Sequence, residues 1–252
     1  MVDSIFSDRD DVSMGLSMDR EIHTNKRQFK ILRNEELQTY VQNIVKQILR
    51  SPLIKRKNIY PYKVTILDDD NVVNAFCTPG GFIYVYTGLL KFLENEASLA
   101  SILAHEIAHA EKRHARQRML SSTGIQLIVI FIISYFSGSS LAEFGGRLAG
   151  DLAILTNSRG DEMEADEMGF LYMRSTPYYQ GAMTFFFEKI ESSKKGKLGM
   201  GRPLEKLLST HPLPEDRLRR NQKRIQAAKI SPPTPGNLFT ERYKNRVTQL
   251  QR

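Results

Sequence analysis

The sequence contains a single cysteine, Cys77, and no tryptophan among its 252 residues. One thiol excludes an intrachain disulfide and a zinc site built on thiolates, so a bound metal would need histidine, aspartate or glutamate ligands. The longest apolar run, residues 125–136, is shorter than the roughly 17–20 residues of a membrane-spanning helix, which excludes a polytopic membrane protein. Residues 1–20 are polar and lack the apolar stretch of a secretory signal peptide.

The composition is that of an ordinary globular domain, with 41% hydrophobic and 25% charged residues. The formal net charge of +8 permits contact with an anionic surface. The basic residues are dispersed, however, and no nucleic-acid recognition motif accompanies them, so we expect no nucleic-acid partner.

Hydrophobic periodicity predicts an α+β fold, mainly helical, with a small antiparallel β-sheet beside a central helix. The predicted helices cover residues 36–49, 95–118, 158–174, 180–192 and 215–229, and the predicted strands lie near residues 63–67, 72–76 and 82–87. We expect a polar, irregular N-terminal segment (1–30), one main domain (31–230) and a loose C-terminal extension (231–252). The apolar run at 125–136 fits either a buried core helix or a lid that leans on a membrane.

Residues 105–109 read His-Glu-Ile-Ala-His, an H-E-x-x-H motif. On an α-helix His105 and His109 project from one face, one turn apart, so their two imidazoles can bind one metal ion. Glu106 points about 100° away and can reach a water bound there rather than the ion itself. This is the arrangement of a zinc peptidase, in which the metal polarises the scissile carbonyl and the glutamate accepts the proton of the attacking water. The alternative is an amphipathic helix with two half-buried histidines.

A catalytic zinc site needs a third protein ligand. His114 would point away from the face of His105 and His109 on a continuous helix, so we interpret it as a structural or second-shell residue. Glu162 and Asp166 share one face of a later helix, and one could bind the ion while the other orients a ligand histidine. The other acidic residues of that helix, Asp161, Glu164 and Glu167, are expected to form a solvated face.

Four ordered blocks together resemble the M48 family of zinc metallopeptidases. They are residues 74–90 (NAFCTPGGFIYVYTGLL), 95–109 with the H-E-x-x-H motif, 158–166 (SRGDEMEAD) and 210–217 with Thr-His-Pro and Arg217. The sequence is most similar to the BepA-like bacterial branch of periplasmic, soluble or lipid-anchored members. Cys77 departs from the family pattern, where a small or apolar residue is expected.

The resemblance implies a gluzincin fold with one Zn²⁺ per chain, bound by His105, His109 and Glu162. Glu106 would be the general base, and Asp166 would support a ligand from the second shell. His211 resembles a histidine beside the zinc that either stabilises the oxyanion or caps the metal in a latent state. An exposed, idle His211 is the plain alternative.

The remaining site predictions concern substrate. Arg217 is expected to orient the His211 loop or contact substrate, although a solvated arginine is also compatible. The strand at 82–87 is expected to offer a free edge to an extended peptide, with a strand fully paired inside the sheet as the alternative. The candidate substrate-binding residues are Asn74, Ala75, Phe82, Ile83 and Tyr84.

These features predict a zinc-dependent endopeptidase that hydrolyses unfolded or misassembled proteins. The alternatives are a chaperone-like quality-control factor with a latent metal site and a basic lipid- or nucleic-acid-binding module. The resemblance implies an extracytoplasmic location, in a bacterial periplasm or at a membrane, with possible membrane-surface or outer-membrane assembly partners.

Overall fold

The computed structural model describes residues 7–120, 157–194, 201–211 and 216–251. Within these ranges the chain is mainly helical. The helices are α1 (Asp8–Thr24), α2 (Glu35–Ile48), α3 (Thr87–Phe92), α4 (Glu96–Glu111), α5 (His114–Leu120), α6 (Arg159–Met173), α7 (Met183–Lys194), α8 (Gly201–Thr210), α9 (Arg217–Ala227), α10 (Pro235–Leu238) and α11 (Thr240–Val247). The strands are β1 (Val64–Leu67), β2 (Ala75–Thr78) and β3 (Phe82–Tyr86). The apolar run at 125–136 lies outside the described residues.

The sheet is mixed rather than wholly antiparallel. Its strand order is β1-β3-β2, with β1 parallel and β2 antiparallel to β3. The parallel pair arises because β1 and β3 are separated by the β2 hairpin rather than by a direct turn. Since β3 is flanked on both sides, the predicted free edge at residues 82–87 does not exist.

Two glutamines of α2 close the outer edge of β1. The Gln38 side chain donates to the Val64 carbonyl and accepts from the Ile66 amide, and Gln42 does the same with the Tyr62 carbonyl and the Val64 amide. The two side chains are one helical turn apart, so their amides repeat along the strand as a neighbouring strand would. This leaves β2 as the sheet edge beside α4.

The central helix α4 is buried along its whole length and packs most extensively against α6. Asn95 caps α4 as predicted, by accepting from the Ser98 amide. The two helices approach closely at Gly169, where an added Cβ would lie 3.1 Å from the His105 amide nitrogen. The absence of a side chain at Gly169 therefore brings the acidic helix against the histidine helix.

The N-terminal segment is helical, whereas the sequence predicted an irregular segment. Residues 8–24 form α1, which begins with a capping box between Ser7 and Asp10. Its Gly15 faces the turn before β3, where an added Cβ would lie 2.1 Å from the Pro79 carbonyl oxygen. Asp19 of α1 accepts from the Tyr84 hydroxyl at 2.9 Å. Sequence polarity misled the prediction because these polar groups are satisfied by partners distant in the sequence.

The C-terminal residues are also ordered rather than loose. Arg242 of α11 donates through two nitrogens to the buried carboxylate of Glu96, in the first turn of α4. The Tyr243 hydroxyl donates to the Leu90 carbonyl at 2.6 Å. These contacts join α11 to the start of the central helix.

Candidate metal centre

Four buried side chains converge between α4, α6 and the end of α8. They are His105, His109, Glu162 and His211, and one potential ligand atom from each lies within 4.8 Å of the others. The Nε2 atoms of His105 and His109 are 2.9 Å apart. The Glu162 oxygens lie 3.4 Å from His105 Nε2 and 3.2 Å from His109 Nε2. The structure thus brings together the histidine pair and the carboxylate selected from the sequence.

The local sequence explains the position of each of these side chains on its helix. His105 and His109 lie one turn apart on α4, so their rings face the same side of the helix. Ser158 begins α6 with a capping box to Asp161, which fixes the first turn of the helix immediately before Glu162. Glu162 and Asp166 then repeat at four-residue spacing on the face of α6 that meets α4.

Asp166 and Arg217 form the outer layer of the site. The Asp166 carboxylate lies 3.0 Å from His105 Nδ1. Arg217 donates to both Asp166 oxygens at 2.8 and 2.6 Å, and its Nη1 atom forms an ion pair with Glu162 Oε2 at 2.7 Å. Arg217 is 4% exposed and stacks over the Phe187 ring, which excludes the solvated arginine considered above. The Asp166 carboxylate beside His105 Nδ1 orients the ring so that its Nε2 atom faces the site.

The buried charged groups of the site shift one another's ionisation. Although burial opposes ionisation, His211, His105 and Arg217 hold the pKa of Glu162 well below its usual range. Asp166 is also buried, yet Arg217 and His105 lower its pKa to about 2. Burial opposes charge on His105 as well, but the two carboxylates raise its pKa to about 10. Burial and the neighbouring His105 lower the pKa of His109 well below its usual value. The pocket therefore holds ionised carboxylates that are balanced by Arg217 and by a proton on His105, and a metal ion bound at His105 would displace that proton.

The donor set fits zinc. Tetrahedral coordination with bonds of roughly 2.0–2.1 Å places neighbouring donor atoms about 3.3 Å apart. The two Nε2 atoms are 2.9 Å apart, while His109 Nε2 lies 3.2 Å from Glu162 Oε1 and His105 Nε2 lies 3.4 Å from Glu162 Oε2. Neutral imidazoles and a carboxylate are ligands that zinc accepts.

Glu106 and His211 both line the pocket beside the histidine pair. His211 Nε2 is 3.8 Å from Glu106 Oε1 and 3.3 Å from the Ala75 carbonyl oxygen, and its Nδ1 is 2.9 Å from Glu162. His211 is 5% exposed, so the expectation of an exposed side chain is wrong. Asn157, which the sequence did not single out, lies 3.2 Å from His211 Nδ1.

The predicted substrate residues separate into two groups. Ala75 lines a pocket beside the metal group, and Asn74 donates to Thr210 at 3.4 Å, next to His211. Phe82, Ile83 and Tyr84 do not line that pocket, because β3 is the central strand and its side chains pack against α1 or the core. The other pocket residues include five apolar side chains that the sequence did not identify: Leu89, Ile102, Met183, Phe186 and Leu207. Each reads as an ordinary core residue, so no sequence signal marks it.

No helix within the described part of the chain is both long and apolar enough to span a bilayer. Over 180 residues the sequence is 31% identical to the beta-barrel assembly-enhancing protease of Yersinia pestis. The aligned region covers 68% of this chain and 36% of that protein. It is 32% identical over 184 residues to the same enzyme of Escherichia coli K12, with 68% of this chain and 37% of the relative covered.

The mitochondrial metalloendopeptidase OMA1 of Arabidopsis thaliana is 31% identical over 144 residues, covering 57% of this chain and 28% of that protein. The matched region thus spans little more than a third of these curated relatives at most. Residues 34–225 match peptidase family M48. That region contains the histidine pair, Glu106, the acidic helix, His211 and Arg217, and the chain belongs to peptidase family M48.

Proposed function

We propose that the protein is a zinc-dependent endopeptidase that cleaves unfolded or misassembled polypeptides. The observation that carries the proposal is the convergence of His105 Nε2, His109 Nε2 and the Glu162 carboxylate in one buried space. Membership in peptidase family M48 supports the same chemistry.

In this proposal His105, His109 and Glu162 hold one zinc ion, and Asp166 and Arg217 orient them. A bound zinc ion supplies Lewis-acid polarisation of the scissile carbonyl and acidifies water. Glu106 accepts the proton of the attacking water and returns it to the leaving amine. Its position beside His211 in the wall of the pocket supports this role.

The sheet edge supplies a backbone surface for an extended substrate. The Tyr86 amide donates to the Asn74 carbonyl, so the alternation of antiparallel pairing turns the main-chain groups of Ala75 away from β3. The Ala75 carbonyl meets His211 on that side. Main-chain pairing selects for flexible segments more than for sequence, which favours unfolded substrates.

His211 has two candidate roles, and the contacts favour the capping one. Its ring contacts Glu162, which would bind the metal, and the outward Ala75 carbonyl, which would pair with an incoming substrate. We propose that His211 holds the enzyme latent until its loop moves. In the second role, the same ring would stabilise the oxyanion.

Partners and location belong to this proposal as well. Two of the relatives carry the name beta-barrel assembly-enhancing protease, which favours an extracytoplasmic protein with outer-membrane assembly partners. The net charge of +8 is compatible with work at an anionic membrane surface.

The decisive experiment measures zinc content and casein cleavage on the purified chain, with and without a chelator. We expect about one zinc per chain and cleavage that a chelator abolishes and zinc restores. Glu106→Gln should keep the zinc and lose roughly 10²–10⁴-fold in rate. Zinc well below one per chain that added metal does not restore would overturn the proposal.

A chaperone-like factor with a latent metal site is the competing function. The buried position of His211 over the metal group is the observation that favours it. Full cellular function of the Glu106→Gln variant with zinc retained would establish that alternative and remove peptide hydrolysis from the protein's role.

A further inference from the structure

His114 lies against the metal group rather than away from it. The predicted continuous helix ends at Glu111, and Arg113 adopts a left-handed backbone conformation with φ of 60°. This turn starts the new helix α5 at His114 and swings its ring back toward α4. As a result His114 is 1% exposed and its Nδ1 lies 2.8 Å from His109 Nδ1.

The strained turn is held in place by α1. The Arg113 side chain donates to Asp11 at 2.6 Å and to the Ser7 carbonyl at 3.0 Å. A left-handed conformation is unfavourable for a residue with a side chain, and these contacts stabilise it here. The N-terminal helix therefore takes part in placing His114.

The far side of the His114 ring meets Glu164. His114 Nε2 lies 3.1 Å from Glu164 Oε2, while Lys112 holds the other Glu164 oxygen at 2.6 Å. An ionised carboxylate only accepts hydrogen bonds, so the Nε2 proton resides on His114. Glu164, expected from the sequence to be a solvated residue, fixes the orientation of a buried ring.

Only one placement of the protons along the series Glu164–His114–His109 allows His109 to bind a metal. A single proton lies between the two Nδ1 atoms, because two protons would clash and none would leave two lone pairs facing each other. If His114 donated that proton, neutral His109 would carry its own proton on Nε2 and could not bind a cation. If His109 donates it, His109 Nε2 presents a lone pair to the site.

We propose that His114, oriented by Glu164, is a positioning residue that keeps His109 in its metal-binding tautomer. The proposal rests on the metal function proposed above and adds a residue on the outer side of the ligand His109. The arrangement parallels that of Asp166 behind His105, with a neutral ring in place of a carboxylate.

The test compares two substitutions of similar size and shape, one ending in a polar amide and the other in two methyl groups. His114→Asn retains an oxygen near the Nδ1 position, whereas His114→Leu fills the space without an acceptor. The full-length chain is stripped of metal and titrated with Zn²⁺ against a chromogenic chelator, which yields a dissociation constant without any activity assay. We expect His114→Leu to weaken zinc binding by roughly 10–100-fold and His114→Asn to bind zinc nearly as tightly as the wild type.

A second readout addresses the tautomer directly. In metal-free protein with ¹⁵N-labelled histidine, the His109 ring should carry its proton on Nδ1 in the wild type and in His114→Asn. It should shift toward the Nε2-protonated form in His114→Leu. His23→Leu, at a half-exposed histidine of α1, is the matched control and should leave zinc affinity unchanged.

The outcomes separate the two proposals. A wild-type chain that binds no zinc would overturn the proposed function itself. A wild-type chain that binds zinc, with His114→Leu binding equally well, would overturn only the positioning role. Equal losses in the Leu and Asn variants, with the His109 tautomer unchanged, would reduce His114 to a packing residue and would also overturn it.

Discussion

Arg217 forms a two-pronged ion pair with Asp166, at 2.8 and 2.6 Å, deep between α6 and α9. Its third nitrogen reaches Glu162 at 2.7 Å, so one guanidinium neutralises charge on two buried carboxylates. The pair lies behind His105 and couples the acidic helix to the first turn of α9. Its geometry leads to the first prediction.

Arg217→Met should destabilise the metal-free protein by about 3–5 kcal/mol, because it leaves two buried carboxylates without their counter-charge. The measurement is the free energy of unfolding in urea with a chelator present. Arg220→Met removes an exposed arginine of the same helix and should have little effect. Equal effects of the two substitutions would contradict the role assigned to Arg217.

Gly169→Ala should weaken zinc binding, because its new Cβ would lie 3.1 Å from the His105 amide nitrogen and displace α4 against α6. Gly160→Ala offers a matched control on the same helix, since its Cβ would meet nothing closer than Ser158 Oγ at 3.5 Å. There the gain in helix propensity should stabilise the protein by up to about 1 kcal/mol. Zinc affinity and urea unfolding of both variants test the pair, and unchanged zinc affinity in Gly169→Ala would show that the helix contact is tolerant.

His211→Ala should increase casein cleavage, since the ring contacts both Glu162 and the outward carbonyl of the β2 edge. The assay is the initial rate at saturating zinc, with zinc content measured in parallel. A fall to background with zinc retained would instead assign His211 to stabilisation of the oxyanion and would contradict the capping role.

Cys77 should resist alkylation in the folded protein. The thiol is buried, and burial together with nearby Glu106 raises its pKa well above the usual value, so the reactive thiolate is scarce at pH 8. Labelling with a thiol reagent before and after unfolding in guanidinium chloride measures this protection. Reaction of the native protein at the rate of a free cysteine would be evidence against the buried position of β2.

The sequence alone determined which candidate site residues share one face of a helix. The i, i+4 spacing of His105 and His109 is a local property of an α-helix, and so is the pairing of Glu162 with Asp166 on α6. The caps at Asn34, Asn95 and Ser158 are local as well, and all three begin helices in the structure. These features depend on residues a few positions apart, which is the range over which sequence patterns act.

The tertiary structure decided which distant segments of the chain contact one another. The left-handed turn at Arg113 redirects His114, and that turn depends on Asp11, about a hundred residues earlier in the chain. The sheet order placed β3 in the centre and β2 at the edge beside α4, contrary to the predicted free edge at residues 82–87. Contacts between distant segments carry no periodicity in the sequence, because they depend on how whole helices and strands pack rather than on the spacing of their residues.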